Sequence, residues 1–376
     1  MSGPEGAARR VLTQAPTDLV VDRLAAELAR LYGITRTELY QVDYRLAELL
    51  PLGDGDPIGG PGHPAWRAFD HQEPLVAGDV GWFPVGMRGE RRGVLRVAPV
   101  PADPVARREV GAIATALGHE LSAVSASTDV YLTARRSRRL TLAAEMQWDL
   151  LPGRSRNHPS FNLAGQLEPA YAVRGDSFDW SDDGHRLWLA VLNGFGEGVA
   201  AALLTSLATY ALRNARRAGL GLADQAALAD QAVYEQHRGA QHLSVLLTEL
   251  DLATGVLTAV DAGSPRLLRL RDGRVDEQVL DKQFPLGMFE GTDYQEQRFQ
   301  LAPGDRLFVV SDGVIDAAAD QVRYGEVALD RFLRRTGPME PLDAVRSLIG
   351  DLRAFVAGDL VDDAVVVCLD WLGPQP

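Results

Sequence analysis

The sequence has 376 residues, enough for two domains rather than one core, and 46% of them are apolar, which is ordinary for a globular protein. Its formal net charge of −13 disfavours nucleic acid and anionic lipid as partners and suits proteins or bound cations. Cys368 is the single cysteine, which excludes an internal disulfide and suits a reducing cytoplasm; no apolar run is long enough for a membrane span, and MSGPEGAARR at the start lacks the apolar stretch of a secretory signal.

Residues 1–15 read as a disordered lead. A helix follows over Thr17 to Tyr32, with Val20, Leu24, Leu28 and Leu31 on one face, Thr17 as its cap and Gly33 as its left-handed stop. Short strands are predicted at Glu38 to Val42, Leu46 to Leu50, Trp82 to Val85 and Gly93 to Ala98, punctuated by Gly and Pro. A second helix covers Arg107 to Ser127, lined by Val110, Ile113, Leu117 and Leu121. Helix, strands, helix is an α+β layout, and residues 16–128 resemble a GAF-like sensor domain, which would take a small-molecule ligand. Next comes a linker, 129–152, predicted as one helix from Val130 to Leu151 with an apolar stripe of Leu140, Ala144, Trp148 and Leu151, ended by Pro152. Arg135, Arg136, Arg138 and Arg139 read as its solvated face. A stripe of this kind between domains pairs readily with its twin, so a homodimer is expected.

Beyond Pro159 the strands come in clusters: Phe161 to Gln166, Leu187 to Leu192, Leu243 to Leu250, Gly255 to Asp261, Arg266 to Leu270, Arg306 to Val310 and Ala364 to Leu369. Helices fall between them at Gly198 to Arg217, Leu222 to His237, Glu326 to Arg335 and Pro341 to Val356. Clustered strands with helices between clusters favour packed antiparallel sheets over a βαβ series.

Four short motifs sit at the ends of these strands: Val173-Arg174-Gly175-Asp176-Ser177-Phe178-Asp179, Leu192-Asn193-Gly194-Phe195-Gly196-Glu197-Gly198, Val310-Ser311-Asp312-Gly313 and Val361-Asp362-Asp363-Ala364. Carboxylates beside glycines suit hard cations such as Mg²⁺ and Mn²⁺, because oxygen is the preferred donor and glycine lets a backbone carbonyl approach. A pair of such ions can hold a phosphate and acidify water between them. Taken singly, an Asp-Gly pair is usually a turn. Gly196, Gly198 and Ala201 also match the spacing of a dinucleotide fingerprint, but the helix from Gly198 leads into a second helix and not into a parallel strand. His185 and His237 are isolated, and neither Ser177 nor Ser311 sits in a nucleophile elbow.

The four motifs, in this order, resemble the type 2C-like metal-dependent protein Ser/Thr phosphatases (PPM), in the bacterial branch typified by the stage II sporulation phosphatase E domain and the stress-response sigma-factor regulators. Ala144-Glu145-Met146-Gln147, Leu167-Glu168-Pro169-Ala170, Ala201-Ala202-Leu203-Leu204, Ala262-Gly263-Ser264-Pro265, Pro285-Leu286-Gly287 and Pro303-Gly304-Asp305 fall in the same order, so the resemblance covers Leu140 to Leu372. It implies a PPM-type α-β-β-α sandwich over 153–376, with two Mn²⁺ or Mg²⁺ ions at one end between the sheets. Asp176, Asn193, Asp312 and Asp362 would be the catalytic and metal-binding set, Gly194 would lend a carbonyl, and Asp179 and Asp363 would hold these ligands by hydrogen bonds. The implied reaction is hydrolysis of phosphoserine or phosphothreonine on a regulatory protein, an anti-sigma-factor antagonist, under control of the sensor.

The sequence departs from that pattern at Asn193, where the family has a bridging aspartate, at Arg174, where it has a glycine, and at Ser264 and Glu197, where it has histidines. An amide binds a cation only as a neutral ligand, and a guanidinium can compete with a metal or bind a phosphate. The alternative reading is therefore a catalytically impaired pseudophosphatase, a binding and signalling module.

Overall fold

A computed structural model describes every residue except 1–2, 61, 138, 170–172, 320, 359 and 375–376. The chain divides into two compact units, Met1–Leu140 and Thr141–Pro376.

The first unit comprises α1 (Pro4–Gln14), α2 (Val20–Tyr32), β1 (Arg36–Val42), β2 (Glu48–Pro51), β3 (Ile58–Gly59), α3 (Pro64–His71), β4 (Leu75–Ala77), β5 (Val80–Met87), β6 (Glu90–Ala98), α4 (Pro104–Val124) and α5 (Val130–Thr133). Its six strands form one antiparallel sheet in the order β3-β2-β1-β6-β5-β4. Helices α1, α2 and α4 cover one face, burying Leu12, Leu24, Leu28, Ile113, Leu117 and Leu121 against Leu39, Phe83, Val85, Leu95 and Val97. Residues 4–14 are thus a helix and not a disordered lead. Their small, charged composition hides a face on which Ala8 and Leu12 are buried, and that face is ordered by tertiary packing rather than by propensity. Gly33 ends α2 in the left-handed conformation as predicted, whereas the helix starts at Val20 and Thr17 does not cap it.

The predicted linker helix is two helices with a break. After α5 the chain turns. The Arg135 guanidinium donates to the Val42 carbonyl at 3.1 Å and lies 5.0 Å over the Tyr44 ring, while Ser137 reaches Asp43. Arg135 is therefore tied back to the sheet and is not part of a solvated helical face; Arg138 lies outside the described residues. A new helix, α6 (Leu142–Leu150), starts where the Thr141 side chain accepts from Ala144 N. Ala144 and Trp148 are buried within the second unit, with Arg154 5.1 Å over the indole. The stripe offered for a twin is consumed there, and the argument for a dimer through one long helix lapses.

The second unit continues with β7 (Ser155–His158), β8 (Phe161–Glu168), β9 (Ser177–Asp182), β10 (Arg186–Gly194), α7 (Gly198–Arg217), α8 (Leu222–His237), β11 (Leu243–Asp251), β12 (Val256–Ala262), β13 (Arg266–Arg271), β14 (Arg274–Glu277) and β15 (Gln297–Gln300). It ends with β16 (Arg306–Val310), α9 (Asp312–Ile315), the short pair β17 (Ala318–Ala319) and β18 (Val322–Arg323), α10 (Tyr324–Val327), α11 (Leu329–Arg335), α12 (Pro341–Val356) and β19 (Ala364–Trp371). One sheet has the order β15-β12-β11-β10-β9 and the other β14-β13-β16-β19-β8-β7, and both are antiparallel. The direct β10–β11 pairing disposes of the dinucleotide reading, which needs a parallel strand after α7.

The sheets face each other: a Cβ on Gly165 of β8 would meet the Phe178 ring of β9 at 2.5 Å, so glycine is what lets the ring enter. Helices α7 and α8 cover the first sheet through Leu204, Leu212, Leu222 and Val233, and α12 lies against β8 and β19. The layers are those of the expected α-β-β-α sandwich. Cys368 is buried in β19, between Phe308 of β16 and Ala164 of β8. Among the described residues no helix is long and apolar enough to cross a membrane.

Candidate metal centre

Four strand ends meet at one end of this sandwich. On the first sheet, β9 and β10 pair with Ser177 opposite Leu192, and the same register carried one step further sets Asp176 opposite Asn193. Gly194 follows, and its Cα lies so near the 174–176 segment that an added Cβ would be 2.9 Å from the Gly175 carbonyl. On the second sheet, β16 and β19 pair up to Val310 and Val366, and Ser311 extends the ladder by donating its N–H to Val365 O and accepting from Val365 N through its hydroxyl. Asp312 then opens α9 beside Asp362 and Asp363. A Cβ at Gly313 would sit 1.9 Å from the Asp363 carbonyl oxygen, so this approach requires glycine.

Asp363 ties the two sheets together. Its Oδ2 accepts from the backbone N–H groups of Arg174 at 2.8 Å, Gly175 at 2.9 Å and Asp176 at 3.4 Å, and from Gln147 Nε2 of α6 at 2.8 Å. Gln147 also donates to the Asp176 carbonyl at 3.0 Å, and the Thr205 hydroxyl of α7 donates to Gly175 O at 2.5 Å. The segment carrying Asp176 is thereby fixed from three elements. Asp179 lies elsewhere. Its carboxylate receives Arg213 at 2.8 Å and Arg216 at 3.1 Å, which clamps α7 onto β9. Its part is to hold α7 in place, and no contact with Asp176 is involved.

The electrostatics of the centre are unbalanced. Asp176 has no exposed surface, and neither of its carboxylate oxygens has a hydrogen-bond partner; Asp312 Oδ1 is buried and unpartnered as well. Burial holds the Asp176 carboxyl well above the usual carboxylate range, and Asp363, Asp312 and Asp362 push the same way. The Ser311 hydroxyl pulls the other way, by more than Asp312 or Asp362 alone pushes; it also donates to Asp363 O at 3.5 Å and accepts from Val365 N at 3.0 Å. Asp362 is pushed up to about 6, first by burial and then by Asp312, against the pull of the Asp363 N–H and of Arg174. The Arg174 guanidinium lies beside the cluster, its Nε 3.9 Å from Asp362 Oδ1.

A divalent cation fits these residues. The donors are oxygens, two of the carboxylates keep buried oxygens with nothing to bind, and their mutual repulsion is of the sign that a cation relieves. Among the described residues no three His, Cys, Asp or Glu side chains close on a single point, so ligation would include carbonyls and water. Asn193 offers a neutral donor. Its Nδ2 donates to Ser264 Oγ at 2.9 Å, which leaves Oδ1 as the free end of the amide. Beside it, Phe195 stacks on His242 at 5.1 Å.

The structure thus brings Asp176, Asn193, Gly194, Asp312, Asp362 and Asp363 to one end of the sandwich and leaves Asp179 apart. Sequence reasoning passed over Gln147, Thr205 and Ser311. Gln147 carried a signal, since it is a polar residue in the same buried stripe of α6 as Ala143, Ala144, Trp148 and Leu150, and a buried amide requires partners. Ala170, quoted in the resemblance, lies outside the described residues.

Comparison with known proteins follows the same lines. The chain is 25% identical over 191 residues to the phosphoserine phosphatase RsbP of Bacillus subtilis, covering 48% of this chain and 46% of that one, so it spans about half the length of that relative. It is 19% identical over 231 residues to the phosphoserine phosphatase RsbU of the same organism, covering 61% of this chain and 69% of the relative. Among solved structures, the PP2C phosphatase domain of SpoIIE from Bacillus subtilis, with a fragment of its regulatory domain, superposes with a TM-score of 0.51 at 18% identity, covering 57% of this chain and 65% of that one, a likeness of fold. The profile of Stage II sporulation protein E (SpoIIE) matches residues 183–372, half of the chain, and the chain belongs to that family.

Proposed function

We propose that the second unit is a metal-dependent protein serine/threonine phosphatase acting on a phosphorylated regulatory protein of the anti-sigma-factor antagonist type. The observation that carries this reading is that Asp312 and Asp362, from separate strand ends, lie near enough to Asp176 to repel its charge, with the Asp176 oxygens buried and unpartnered. Mn²⁺ or Mg²⁺ would be held by these carboxylates, by Asn193 Oδ1 and by the Gly194 carbonyl. When bound, such a cation supplies Lewis acidity to a phosphate and lowers the pKa of water. The chain's own contribution is positional. Asp363 and Gln147 hold the 174–176 segment, and Thr205 and the Asp179 clamp seat α7.

The first unit would act as a GAF-like sensor of a small molecule. Supporting this is an open cavity of about 700 Å³ on its sheet, with Tyr40, Trp82, His63, Arg36 and Arg96 among its lining residues. A second reading, a phosphoprotein-binding module without turnover, draws on the neutral Asn193 held by Ser264. Release of phosphate from a phosphoserine peptide by the full chain in Mn²⁺ separates the two. The enzyme reading expects turnover that Asp312→Asn abolishes. Wild-type release no faster than that of Asp312→Asn, with metal bound to the wild type, leaves the binding module.

A further inference from the structure

We propose that the exposed rings of Phe195 and of the Phe284–Phe289 pair form a docking surface for the polypeptide that carries the phosphoryl group. They would select apolar side chains next to the phosphorylated residue, with basic residues further along. The inference rests on the phosphatase reading above and names the part of the substrate that this chain would hold.

The rings stand at three neighbouring strand ends. Gly194 of β10 pairs with Leu243 of β11, and Leu243 exchanges both backbone hydrogen bonds with Leu286, at 2.9 and 3.1 Å. Phe195 leaves the sheet directly after Gly194, and His242 enters beside it, the two rings stacked at 5.1 Å. One strand further, Phe284 and Phe289 flank Leu286 and meet edge to face at 4.8 Å. Phe195 is 53% exposed, Phe284 56% and Phe289 50%. A protein that brings a phosphorylated side chain to Asn193 and Asp176 approaches this same end of the sheet.

A fixed frame holds the Phe284–Phe289 pair out in water. Asp230 of α8 accepts from Gly287 N at 2.7 Å, and the Tyr294 hydroxyl lies 3.2 Å from both Asp230 Oδ1 and the Phe284 carbonyl. Gln283 donates its backbone N–H to Asp261 O at 2.8 Å and makes two further bonds with Gln295. Gly287 has a φ of +82°, and a Cβ there would fall 2.2 Å from Val233 of α8, so the turn between the two rings sits flush on that helix. Folding gains little from rings left in water, whereas a partner that covers them gains their apolar area without first ordering the segment. Aromatic side chains on an ordered support are typical anchors of protein interfaces. Around them, residues 279–296 carry Asp281, Glu290, Asp293 and Glu296 against Lys282 as the one basic residue. The complement of such a surface is apolar side chains accompanied by Arg or Lys.

Fluorescence anisotropy of the full-length chain in Mn²⁺ with three labelled peptides tests this. Each carries a non-hydrolysable difluoromethylene phosphonate in place of the phosphoserine ester. The first has Leu on both sides of it and Arg beyond; the second has Ser in place of Leu; the third has Glu in place of Arg. The first should bind about tenfold more tightly than the second, and more tightly than the third at low salt. Phe284→Ser combined with Phe289→Ser, with its fold checked by circular dichroism, should bring the first peptide down to the level of the second. If that variant does not fold, the wild-type comparison decides alone. Equal binding of the first two peptides by the wild type, a third that binds as tightly as the first, or a preference that survives in the folded double variant overturns the inference. Phosphate release from the matching phosphoserine peptides reads the phosphatase activity separately. No release, with the preference intact, ends the enzyme reading and keeps the docking surface; release without any preference in binding does the reverse.

Discussion

The Gln147 amide donates to the Asp363 carboxylate at 2.8 Å, joining residues 216 positions apart in the chain. The same Nε2 reaches the Asp176 carbonyl at 3.0 Å, so one side chain of α6 touches the strand ends of both sheets at the candidate site. Gln147→Leu keeps the approximate volume and removes the donor. It should lower Mn²⁺ affinity by about tenfold or more, the usual size of such supporting contacts, and cost about 1–3 kcal/mol of stability for the carboxylate left short of a donor. Calorimetry and urea unfolding measure the two effects. An unfolding loss with unchanged metal affinity would make Gln147 a packing residue only.

Asp362 gives a pH signature. Its carboxyl titrates at about 6 in the folded chain and near 4 in an unfolded one. Between those values the unfolded chain is already ionised and the folded chain still protonated, so folding takes up a proton. The group's contribution to stability is therefore level below about pH 4, falls as pH rises toward about 6, and stays at its unfavourable limit above that. Asp362→Asn lacks this slope. In the presence of a chelator the variant should gain on the wild type across this window by an amount on the order of 1 kcal/mol, a figure reduced because the side chain is 38% exposed. Urea midpoints at several pH values test it, and parallel curves for the two proteins would refute it.

Two glycines should respond oppositely to alanine. At Gly313 the new methyl would fall 1.9 Å from Asp363 O, so α9 and the Asp362–Asp363 segment must separate. A loss of about 1–3 kcal/mol is expected, as for other overpacked sites, together with weaker Mn²⁺ binding. Gly350, exposed within α12, meets nothing within 4 Å. There alanine should stabilise by about 0.5–1 kcal/mol through helix propensity alone, with metal binding unchanged. Thermal unfolding of both variants in Mn²⁺ and in chelator provides the comparison.

Ser264 fixes which end of Asn193 faces the centre. With Ser264→Ala the amide loses the acceptor for its N–H and is free to turn that group toward the carboxylates. Mn²⁺ affinity should fall about tenfold, while the urea midpoint of the metal-free protein changes little. Equal affinities in Ser264→Ala and wild type would show that the Asn193 oxygen is not a ligand.

Much of the second unit was legible because its signals are local. The apolar strands ending at Leu192 and Val310, and the one beginning at Ala364, carry their acidic or amide residues within a few positions, and strand ends converge wherever strands pair. β9 was missed because Ser177 to Asp182 is short and polar apart from Phe178 and Trp180. What sequence could not give was long-range. Nothing near Arg135 says that its guanidinium will bond to Val42 O and end α5, so periodicity carried the helix through the break. Nor does the polar, alanine-rich stretch from Pro4 to Gln14 reveal that Ala8 and Leu12 meet the core. The sharing of Asp363 between Gln147 and the 174–176 backbone likewise exists only once the two sheets have closed.

Cys368 equips the molecule with its own reporter of opening. The thiol is wholly buried in β19, and burial raises its pKa far beyond that of a free cysteine, so almost no thiolate is present at neutral pH to attack a maleimide or a disulfide reagent. Modification has to wait until β19 parts from β8 and β16. The rate of labelling of the wild-type chain therefore clocks the opening of the middle of that sheet, with no engineered probe, and the slowing of that clock by added Mn²⁺ would measure how far ligation at the strand ends restrains the centre of the sandwich.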